Sequence, residues 1–329
     1  MYNLEIDRIV KIIKKKRYRI IGLQLPEGLK DSATEIADAI QDRTDCDIVI
    51  SADPCYGACD LVDDSMKRIG VDALFHFGHS PIFEKSAVPV EYISVQDDGD
   101  PIPLIKKNLK KFSKKIGLLS TIQHVHTLEK VKKMLEGEGF EVKIGKAGGR
   151  IKHEGQVLGC SFGSAVSVAD DVENFIYVGS GNFHPLGVAL ATGKRTFAVD
   201  PMLGEVRDME PLKEKILRQR YARIAKAQKG KTFGIIIGEK RGQMRKGLAF
   251  RLKKMLEKKG KMAYLLYMGE ITPETLLPFR KLHAFVNTAC PRVSIDDAAK
   301  FNRPLLTPVE LEIVLGEREW EDYRIDEIT

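Results

Sequence analysis

The chain has 329 residues, of which 43% are hydrophobic and 30% charged, and its formal net charge is +7. That length exceeds what one hydrophobic core usually holds, so the sequence predicts two or three domains. We find no apolar run long enough to cross a bilayer and no secretory leader, and we therefore expect a cytoplasmic protein. Five cysteines, an odd number without a secreted-scaffold spacing, argue against disulfides and favour metal ligation or burial.

The positive charge is concentrated in lysine- and arginine-rich runs at 14–17, 106–115 and 251–261. Such runs are typical of solvated helix faces. They are also compatible with a surface that binds a large anionic partner, such as RNA or a ribosomal factor. Charge alone does not choose between these two interpretations.

Three segments along the chain share one design, in which a lysine-rich helix end precedes a short apolar strand and a polar loop. They read "KKKRYRIIGLQLPEG", "KFSKKIGLLSTIQH" and "AQKGKTFGIIIGEKRG". Each opens a unit with the same predicted order of strand, helix and three further strands. The predicted elements are 20–25, 31–41, 47–51, 73–77 and 90–95 in the first unit; 116–121, 127–136, 140–146, 175–178 and 195–199 in the second; and 233–238, 246–258, 261–267, 284–287 and 303–306 in the third.

The first strand of each unit is continuously apolar rather than alternating, which is typical of parallel strands covered on both faces. The sequence therefore predicts an α/β protein built from three related units, each a roughly four-stranded parallel sheet flanked by helices around a central site. We divide it into domains at 1–100, 101–203 and 204–329. Ligands of such sheets bind beyond the carboxyl ends of the strands.

Three cysteines lie far apart, one in each unit, at the end of a strand-like run. Cys59 lies in "DPCYGACDL", Cys160 in "VLGCSFGSA" and Cys290 in "VNTACPRVS". The first two follow second strands and the third follows a third strand, so the repeat is not strict. Thiolates are the ligands of iron-sulfur clusters, and three of them on a four-iron cube would leave one iron open for substrate. We therefore predict that converging loops bring these thiols to one metal centre.

The other two cysteines are weaker candidates. Cys46 lies at the start of a predicted buried strand, where a cysteine commonly packs as a small hydrophobe. Cys55 is either a spare thiol or a participant in the Cys59 loop. We also expect a helix entered at Cys59 to lower the pKa of that thiol through its dipole. Zinc binding through Cys55 and Cys59, or simple burial of all the cysteines, are the competing interpretations.

Two nucleotide-binding patterns fail on their spacing. "GVALATGKR" has five residues between its glycines and an arginine in place of the magnesium-binding hydroxyl, so it is not a P-loop. "GSGN" lacks the third glycine and the acidic residue of a dinucleotide fingerprint. It supports a small-molecule loop whose backbone amides could hold a carboxylate or a ribose.

The segments "DPCYGACDL", "GCSFG", "GSGNFHP" and "NTACPR" resemble the archaeal family that catalyses the first step of diphthamide biosynthesis, the 2-(3-amino-3-carboxypropyl)histidine synthases. The resemblance spans essentially the whole chain. It implies a transferase of the non-classical radical type, which uses S-adenosylmethionine and lacks the Cys-x3-Cys-x2-Cys triplet. This chain lacks that triplet too.

By this resemblance, Cys59, Cys160 and Cys290 would hold a 4Fe-4S cluster whose open iron meets S-adenosylmethionine, with no catalytic residue assigned beyond the cluster. Reductive cleavage would release a 3-amino-3-carboxypropyl radical, which would add to a histidine of translation elongation factor 2. Methylthioadenosine would be the by-product. The resemblance further implies a homodimer, with an unidentified electron donor and no need for nucleic acid or a membrane.

Residues at strand ends are our candidates for the S-adenosylmethionine pocket. Arg292 could pair with the methionine carboxylate, and Asp200 could accept from ribose hydroxyls or from the amino group, although either could instead form a structural ion pair. The full candidate set is Gln24, Pro26, His79, Gln123, Ser180, Gly181, His184, Asp200 and Arg292.

Two other functions remain open at this point. One is a cluster enzyme similar in outline to quinolinate synthase, which would act on a small molecule. The other is a metal-stabilised binding module, in which the same cysteines would form a closed four-ligand site. The flanking motifs fit diphthamide synthesis better than either.

Overall fold

The structure is a computed structural model that describes residues 2–328. We keep the names first, second and third unit for the parts before 101, from 101 to 203 and from 204 onward. The elements of the first unit are β1 (Tyr2–Asn3), α1 (Ile6–Lys16), β2 (Ile20–Gln24), α2 (Ala33–Gln41), β3 (Asp47–Ile50), α3 (Asp63–Arg68), β4 (Ala73–Phe77), β5 (Val90–Ile93) and β6 (Gln96–Asp97). Strands β2 to β5 form a parallel sheet in the order β3-β2-β4-β5, and β1 pairs with β6 in an antiparallel ribbon.

The second unit repeats this order, and one strand from the start of the third unit joins its sheet. Its elements are α4 (Ile102–Lys107), β7 (Lys115–Ser120), α5 (Leu128–Gly137), β8 (Glu141–Ile144), α6 (Gly163–Val166), β9 (Asn174–Val178), α7 (Phe183–Thr192) and β10 (Arg195–Asp200), followed after the unit's last loop by β11 (Glu205–Asp208). The parallel strands run β8-β7-β9-β10, and β11 pairs antiparallel with the edge strand β10. Sequence reasoning missed β11 because four residues without alternating hydrophobicity carry little strand signal.

The third unit has the same parallel order for its four strands, β13-β12-β14-β15. Its elements are α8 (Glu210–Gln228), β12 (Thr232–Gly238), α9 (Lys246–Lys258), β13 (Met262–Met268), α10 (Pro273–Leu276), β14 (Ala284–Asn287), α11 (Pro291–Ile295), β15 (Leu305–Leu306) and α12 (Pro308–Val314). The predicted α/β fold of three parallel sheets flanked by helices is therefore confirmed. The exact domain boundaries remain a prediction. None of the described helices is long and apolar enough to cross a membrane.

A glycine in the first strand of every unit allows close packing across the sheet. A Cβ atom on Gly117 would lie 2.2 Å from the ring of Phe175, and one on Gly234 would lie 2.8 Å from Leu282. At the matching position, Gly22 lies under Met66. Because bulky neighbours fill the space that a side chain would occupy, these strands are covered on both faces, as their apolar sequences predict.

The long helix α8 is fixed to the third sheet by a fully buried ion pair. Arg220 donates to both carboxylate oxygens of Glu310, at 2.6 and 2.5 Å, and also to the carbonyl oxygens of Ser294 and Leu305. The side chains of Arg220 and Glu310 are 1% and 0% exposed. A buried charge is tolerated when it is paired and its donors are hydrogen-bonded, and this guanidinium has a paired carboxylate and makes four hydrogen bonds.

We expect Glu310→Gln to lower the free energy of unfolding by about 3–5 kcal/mol, because it leaves the buried Arg220 charge without a counterion. The matched control is Glu312→Gln on the same helix, whose partner Arg318 is partly exposed. That change should cost about 1 kcal/mol or less. Urea unfolding of both variants measures the difference, and equal losses would contradict the buried-pair argument.

Candidate metal centre

The three predicted thiols lie in loops at the carboxyl ends of the sheets. Cys59 lies in a short 3-10 turn, Ala58–Asp60, after β3; Cys160 precedes α6; and Cys290 is the N-cap residue of α11. All three are partly exposed, whereas Cys46 and Cys55 are buried. The charges of Cys160 and Cys290 both influence the pKa of Cys59, so the three thiols share one site. We call this site the thiol cleft.

Close contacts between units form the thiol cleft. A Cβ atom on Gly242 of the third unit would lie 2.6 Å from Cβ of Cys59 in the first. Arg150 of the second unit donates to the Gly242 carbonyl oxygen at 2.8 Å. A Cβ atom on Gly159, next to Cys160, would lie 3.1 Å from Cδ of Arg292 in the third unit. Small residues are therefore required where the three loops meet.

The spacing of the thiols does not suit a single metal ion. A tetrahedral zinc ion, with zinc–sulfur bonds of about 2.3 Å, needs sulfur atoms about 3.8 Å apart. Among the described residues, the group of ligand atoms found within 4.8 Å of one another is Cys55, His76 and His79, and not the three thiols of the cleft. At least one pair of the three thiols therefore lies farther apart than two sulfur atoms bound to one zinc ion.

Burial raises the pKa of every thiol in the cleft. The pKa rises to about 12 for Cys59, with burial first and the neighbouring Asp60 second, and to about 11 for Cys160, with burial first and Cys290 second. Burial also raises the pKa of Cys290. The prediction that a helix dipole lowers the pKa of Cys59 is wrong, because the nearest helix, α3, begins only at Asp63.

Basic and amide side chains surround the sulfur atoms. Gln243 donates from Nε2 to Sγ of Cys59 at 3.2 Å. Arg150 and Arg245 both favour the thiolate form of Cys160, and Arg292 does so for Cys290. The positive charges of these arginines would stabilise an anionic group bound by the three sulfur atoms.

The Cys59 loop is held by contacts to the third unit and to strand β2 of the first unit. Asp60 accepts from the Tyr56 amide at 2.6 Å and pairs with Lys240 of the third unit at 2.7 Å. Gln24 donates to the Asp60 carbonyl oxygen at 2.7 Å. The structure thus places Gln24, a predicted pocket residue, in the support of the Cys59 loop.

Two further predicted pocket residues lie at the contact between the first and second units. Gln123 donates to the Gly78 carbonyl oxygen at 2.7 Å, and the ring of Pro26 packs against Gly78. Gln156 extends this contact by donating to Oγ of Ser80 at 2.7 Å. These residues hold the loop after β4 against the second unit.

Predicted residues of the second unit form a separate hydrogen-bonded loop. Asp200 is fully buried and accepts from Oγ of Ser180 at 3.0 Å and from the amides of Met202 and Leu203 at 3.1 Å. Arg207 donates to its other oxygen at 3.5 Å and also reaches the Gly181 carbonyl oxygen. Both carboxylate oxygens of Asp200 are therefore hydrogen-bonded within the protein. This arrangement favours the structural role over ribose binding.

His184 and Arg292 lie together beside the thiols. The ring of His184 stacks on Tyr177 with centroids 6.0 Å apart, and the guanidinium of Arg292 lies 4.1 Å above the Phe183 ring. Arg292 donates to Asp296 from Nε and Nη2, at 3.1 and 3.0 Å. Its Nη1 has no hydrogen-bond partner within residues 2–328, so both N–H groups of that nitrogen remain for a ligand.

The partly exposed His79 is hydrogen-bonded to the buried His76. Its Nδ1 lies 2.9 Å from Nε2 of His76, and burial lowers its pKa to about 4. Cys55 lies close to both rings. Because the facing nitrogens of the two histidines satisfy each other, the pair is complete without an ion. Cys46, as predicted, packs in the core of the first unit.

Sequence reasoning missed four polar residues of the cleft: Arg150, Lys240, Gln243 and Arg245. Three of them lie in the loop after β12, which corresponds by repeat to the loops after β2 and β7. We took candidates from those two loops and none from the third. The repeat itself could have identified this loop, whereas Arg150 lies within the long loop after β8, where neither its residue type nor its spacing distinguishes it.

The chain belongs to the diphthamide synthesis protein family, which matches residues 25–324. Its three-sheet fold and thiol cleft agree with that class. Among its relatives is the 2-(3-amino-3-carboxypropyl)histidine synthase of Pyrococcus horikoshii, which is 38% identical over the whole of this chain and 94% of that protein. Subunit 1 of the same enzyme from Gallus gallus is 30% identical over 99% of this chain and 80% of that protein.

A solved structure has the same fold. The crystal structure of Dph2 from Pyrococcus horikoshii with a 4Fe-4S cluster is 38% identical and superimposes with a TM-score of 0.91. The match covers 100% of this chain and 95% of that one. The resemblance inferred from the cysteine motifs is thereby confirmed.

We expect Gly242→Ala to lower the free energy of unfolding by about 1–3 kcal/mol, because the added methyl group overpacks the contact with Cys59. The displaced loop should also make Cys59 react faster with an alkylating reagent. Gly247→Ala is the control, since a Cβ there meets nothing within 4 Å. Unchanged alkylation of Cys59 in Gly242→Ala would contradict the close contact.

Acid should destabilise the protein through His184, whose pKa is lowered to about 3 by burial, with Arg292 next in effect. Between the ordinary histidine pKa of about 6.5 and pH 3, the unfolded chain binds a proton that the folded ring does not, so stability falls as the pH falls. One such group contributes about 2 kcal/mol between pH 6.5 and 5. Urea unfolding should therefore show a shallower pH slope for His184→Gln than for the unsubstituted protein. His126→Gln, at an exposed position, is the control, and an equal change of slope in it would contradict this assignment.

Proposed function

We propose that this chain transfers the 3-amino-3-carboxypropyl group of S-adenosylmethionine to a histidine of translation elongation factor 2, the first step of diphthamide biosynthesis. The observation that carries this proposal is the meeting of one thiol from each unit at one site, where the three sulfur atoms do not form a compact single-ion set. Membership of the diphthamide synthesis family, across nearly the whole chain, supports it.

Cys59, Cys160 and Cys290 would hold a 4Fe-4S cluster, and the donor set fits one. Thiolates are the ligands of such clusters, and the three sulfurs come from loops that only glycine allows to approach. Burial and the charges of the neighbouring thiols raise the pKa of Cys59, so forming the thiolate costs free energy. Cationic iron would offset that free energy by binding the thiolates. When bound, the cluster would supply the electron that cleaves a carbon–sulfur bond of the sulfonium and an open iron to orient it.

The chain's own residues would bind and orient the co-substrate. Arg292, with Nη1 unpaired beside Cys290, suits the carboxylate of the methionine moiety. Arg150 and Arg245, near Cys160, offset the negative charge of the bound sulfur ligands. The remaining pocket candidates stay part of this proposal, with Asp200 and Gln24 acting through the loops that they hold rather than by direct contact.

Three partners belong to the proposal. Elongation factor 2 is the protein substrate, a second copy of this chain forms a homodimer, and an electron donor that we do not identify reduces the cluster. The basic runs at 14–17, 106–115 and 251–261 offer surfaces for an acidic partner. Membership of the diphthamide synthesis family supports a translation factor as the target.

The two competing functions have less support. A binding module would need a fourth ligand to close its metal site, and the described Cys, His, Asp and Glu groups provide no compact set around the three thiols. A quinolinate-synthase-like enzyme would share the outline of three units. The whole-length match to histidine-modifying relatives favours a protein histidine as the acceptor.

The test is to purify the chain without oxygen, reconstitute it with iron and sulfide, and add dithionite and S-adenosylmethionine. Mass spectrometry should find methylthioadenosine together with aminobutyrate-type products. Cys59→Ser, Cys160→Ser and Cys290→Ser should each abolish both, because each removes one cluster ligand.

Cys46→Ser and Cys55→Ser are the matched controls and should retain product formation, since neither thiol opens into the cleft. Deoxyadenosine in place of methylthioadenosine would indicate ordinary radical chemistry. Failure to bind iron at all would return the three cysteines to a structural role.

A further inference from the structure

A chain of three hydrogen-bonded side chains runs from beneath the Cys59 loop to the cleft, and its proton positions can be derived. Gln24 donates from Nε2 to the Asp60 carbonyl oxygen at 2.7 Å, and its Oε1 accepts from the Val62 amide at 3.3 Å. A backbone carbonyl can only accept and a backbone amide can only donate. The orientation of the Gln24 amide is therefore fixed.

This orientation determines the tautomers of two histidines. Oε1 of Gln24 lies 2.9 Å from Nδ1 of His76, so that nitrogen must carry the proton. Nε2 of His76 then has a lone pair, and it faces Nδ1 of His79 at 2.9 Å. Nδ1 of His79 must consequently donate, which leaves the lone pair of His79 on Nε2.

His79 is the most exposed of the three side chains in this hydrogen-bonded chain. Gln24 and His76 are both 0% exposed, whereas His79 is partly exposed at the outer end of the chain. The charges of both His79 and Arg292 lower the pKa of His184, so His79 lies on the side of the cleft where these residues meet.

The loop that carries His79 is part of the same cleft. Its neighbour Ser80 accepts from Gln156 of the second unit, in the segment that leads to Cys160. Two residues further, Ile82 lies where a Cβ on Gly242 would reach it at 3.0 Å, beside Cys59. His79 is therefore held between the segments that bear two of the three thiols.

We propose that Nε2 of His79 binds the N–H group of the imidazole that is modified. This inference rests on the proposed function, and it moves His79 from the S-adenosylmethionine pocket to the site of the acceptor histidine. The lone pair of a neutral histidine suits the neutral N–H group of an imidazole. The ammonium group of S-adenosylmethionine would instead favour a carboxylate of the protein, and the carboxylate of S-adenosylmethionine would favour Arg292. The modified ring carbon lies between the two imidazole nitrogens, so one hydrogen bond to a nitrogen positions the carbon next to it.

The first experiment compares two products of the reconstituted enzyme with elongation factor 2 present. In His79→Phe, the amount of modified histidine formed per methylthioadenosine should fall about tenfold, because one hydrogen bond to the acceptor ring is lost. His79→Gln should recover most of the coupling, because its amide oxygen reaches the position of Nε2. Retained cluster absorbance in both variants shows that they fold.

The outcomes separate this inference from the proposed function. A parallel fall of methylthioadenosine and modified histidine in His79→Phe would place His79 at S-adenosylmethionine and overturn the inference alone. If the unsubstituted enzyme forms no methylthioadenosine, the proposed function fails and the inference fails with it.

A binding measurement tests the same contact without turnover. The oxidised, cluster-loaded enzyme should bind native elongation factor 2 about tenfold more tightly than His79→Phe does. Against elongation factor 2 whose target histidine is replaced by alanine, the two enzymes should bind equally, because the partner of Nε2 is gone. The same loss of affinity for both forms of the factor would overturn the proposal.

Discussion

The backbone of the third unit approaches Cys59 so closely at Gly242 that no side chain fits between them. Everything in the thiol cleft depends on this approach, because the loop that makes it also brings Lys240 to Asp60 and Gln243 to the Cys59 sulfur. Arg150 then links the second unit to the same glycine. No single sheet could hold the three sulfurs in place, so the geometry of the site is a property of the contacts between units rather than of any one of them.

The arrangement of charge explains how such a site remains both stable and reactive. Three thiols are partly withdrawn from water, which raises the pKa of each, while arginines from two units favour the thiolate forms. The protein without a bound group therefore keeps its thiols protonated and does not carry three buried negative charges. Ligation exchanges those protons for iron, and the arginines are already in position to balance the anionic group that results.

The sequence predicted most of the fold and part of the site, and the reason is physical in each case. Continuous apolar runs such as 20–25 report burial on both faces, and the structure has the strand Ile20–Gln24 there. The meeting of Cys59, Cys160 and Cys290 was predicted from their places after strands, since the carboxyl ends of three separate sheets can face one site. Asp200 and Gln24 could be located at strand ends, but which partner takes up a polar side chain depends on loop paths. Those paths are set by contacts between units, as the pairing of Gln24 with Asp60 illustrates, and no local periodicity encodes them.

The segment after α12 belongs to the third unit by sequence but completes the second. Ile325 joins the apolar core of the second unit, Glu327 accepts from the Phe162 amide, and the Ile328 amide donates to the carbonyl oxygen of Cys160 itself. During synthesis on the ribosome, the second sheet can form long before this segment emerges. The Cys160 loop acquires its last supports only afterwards, so assembly of the site is deferred until the third unit is also present.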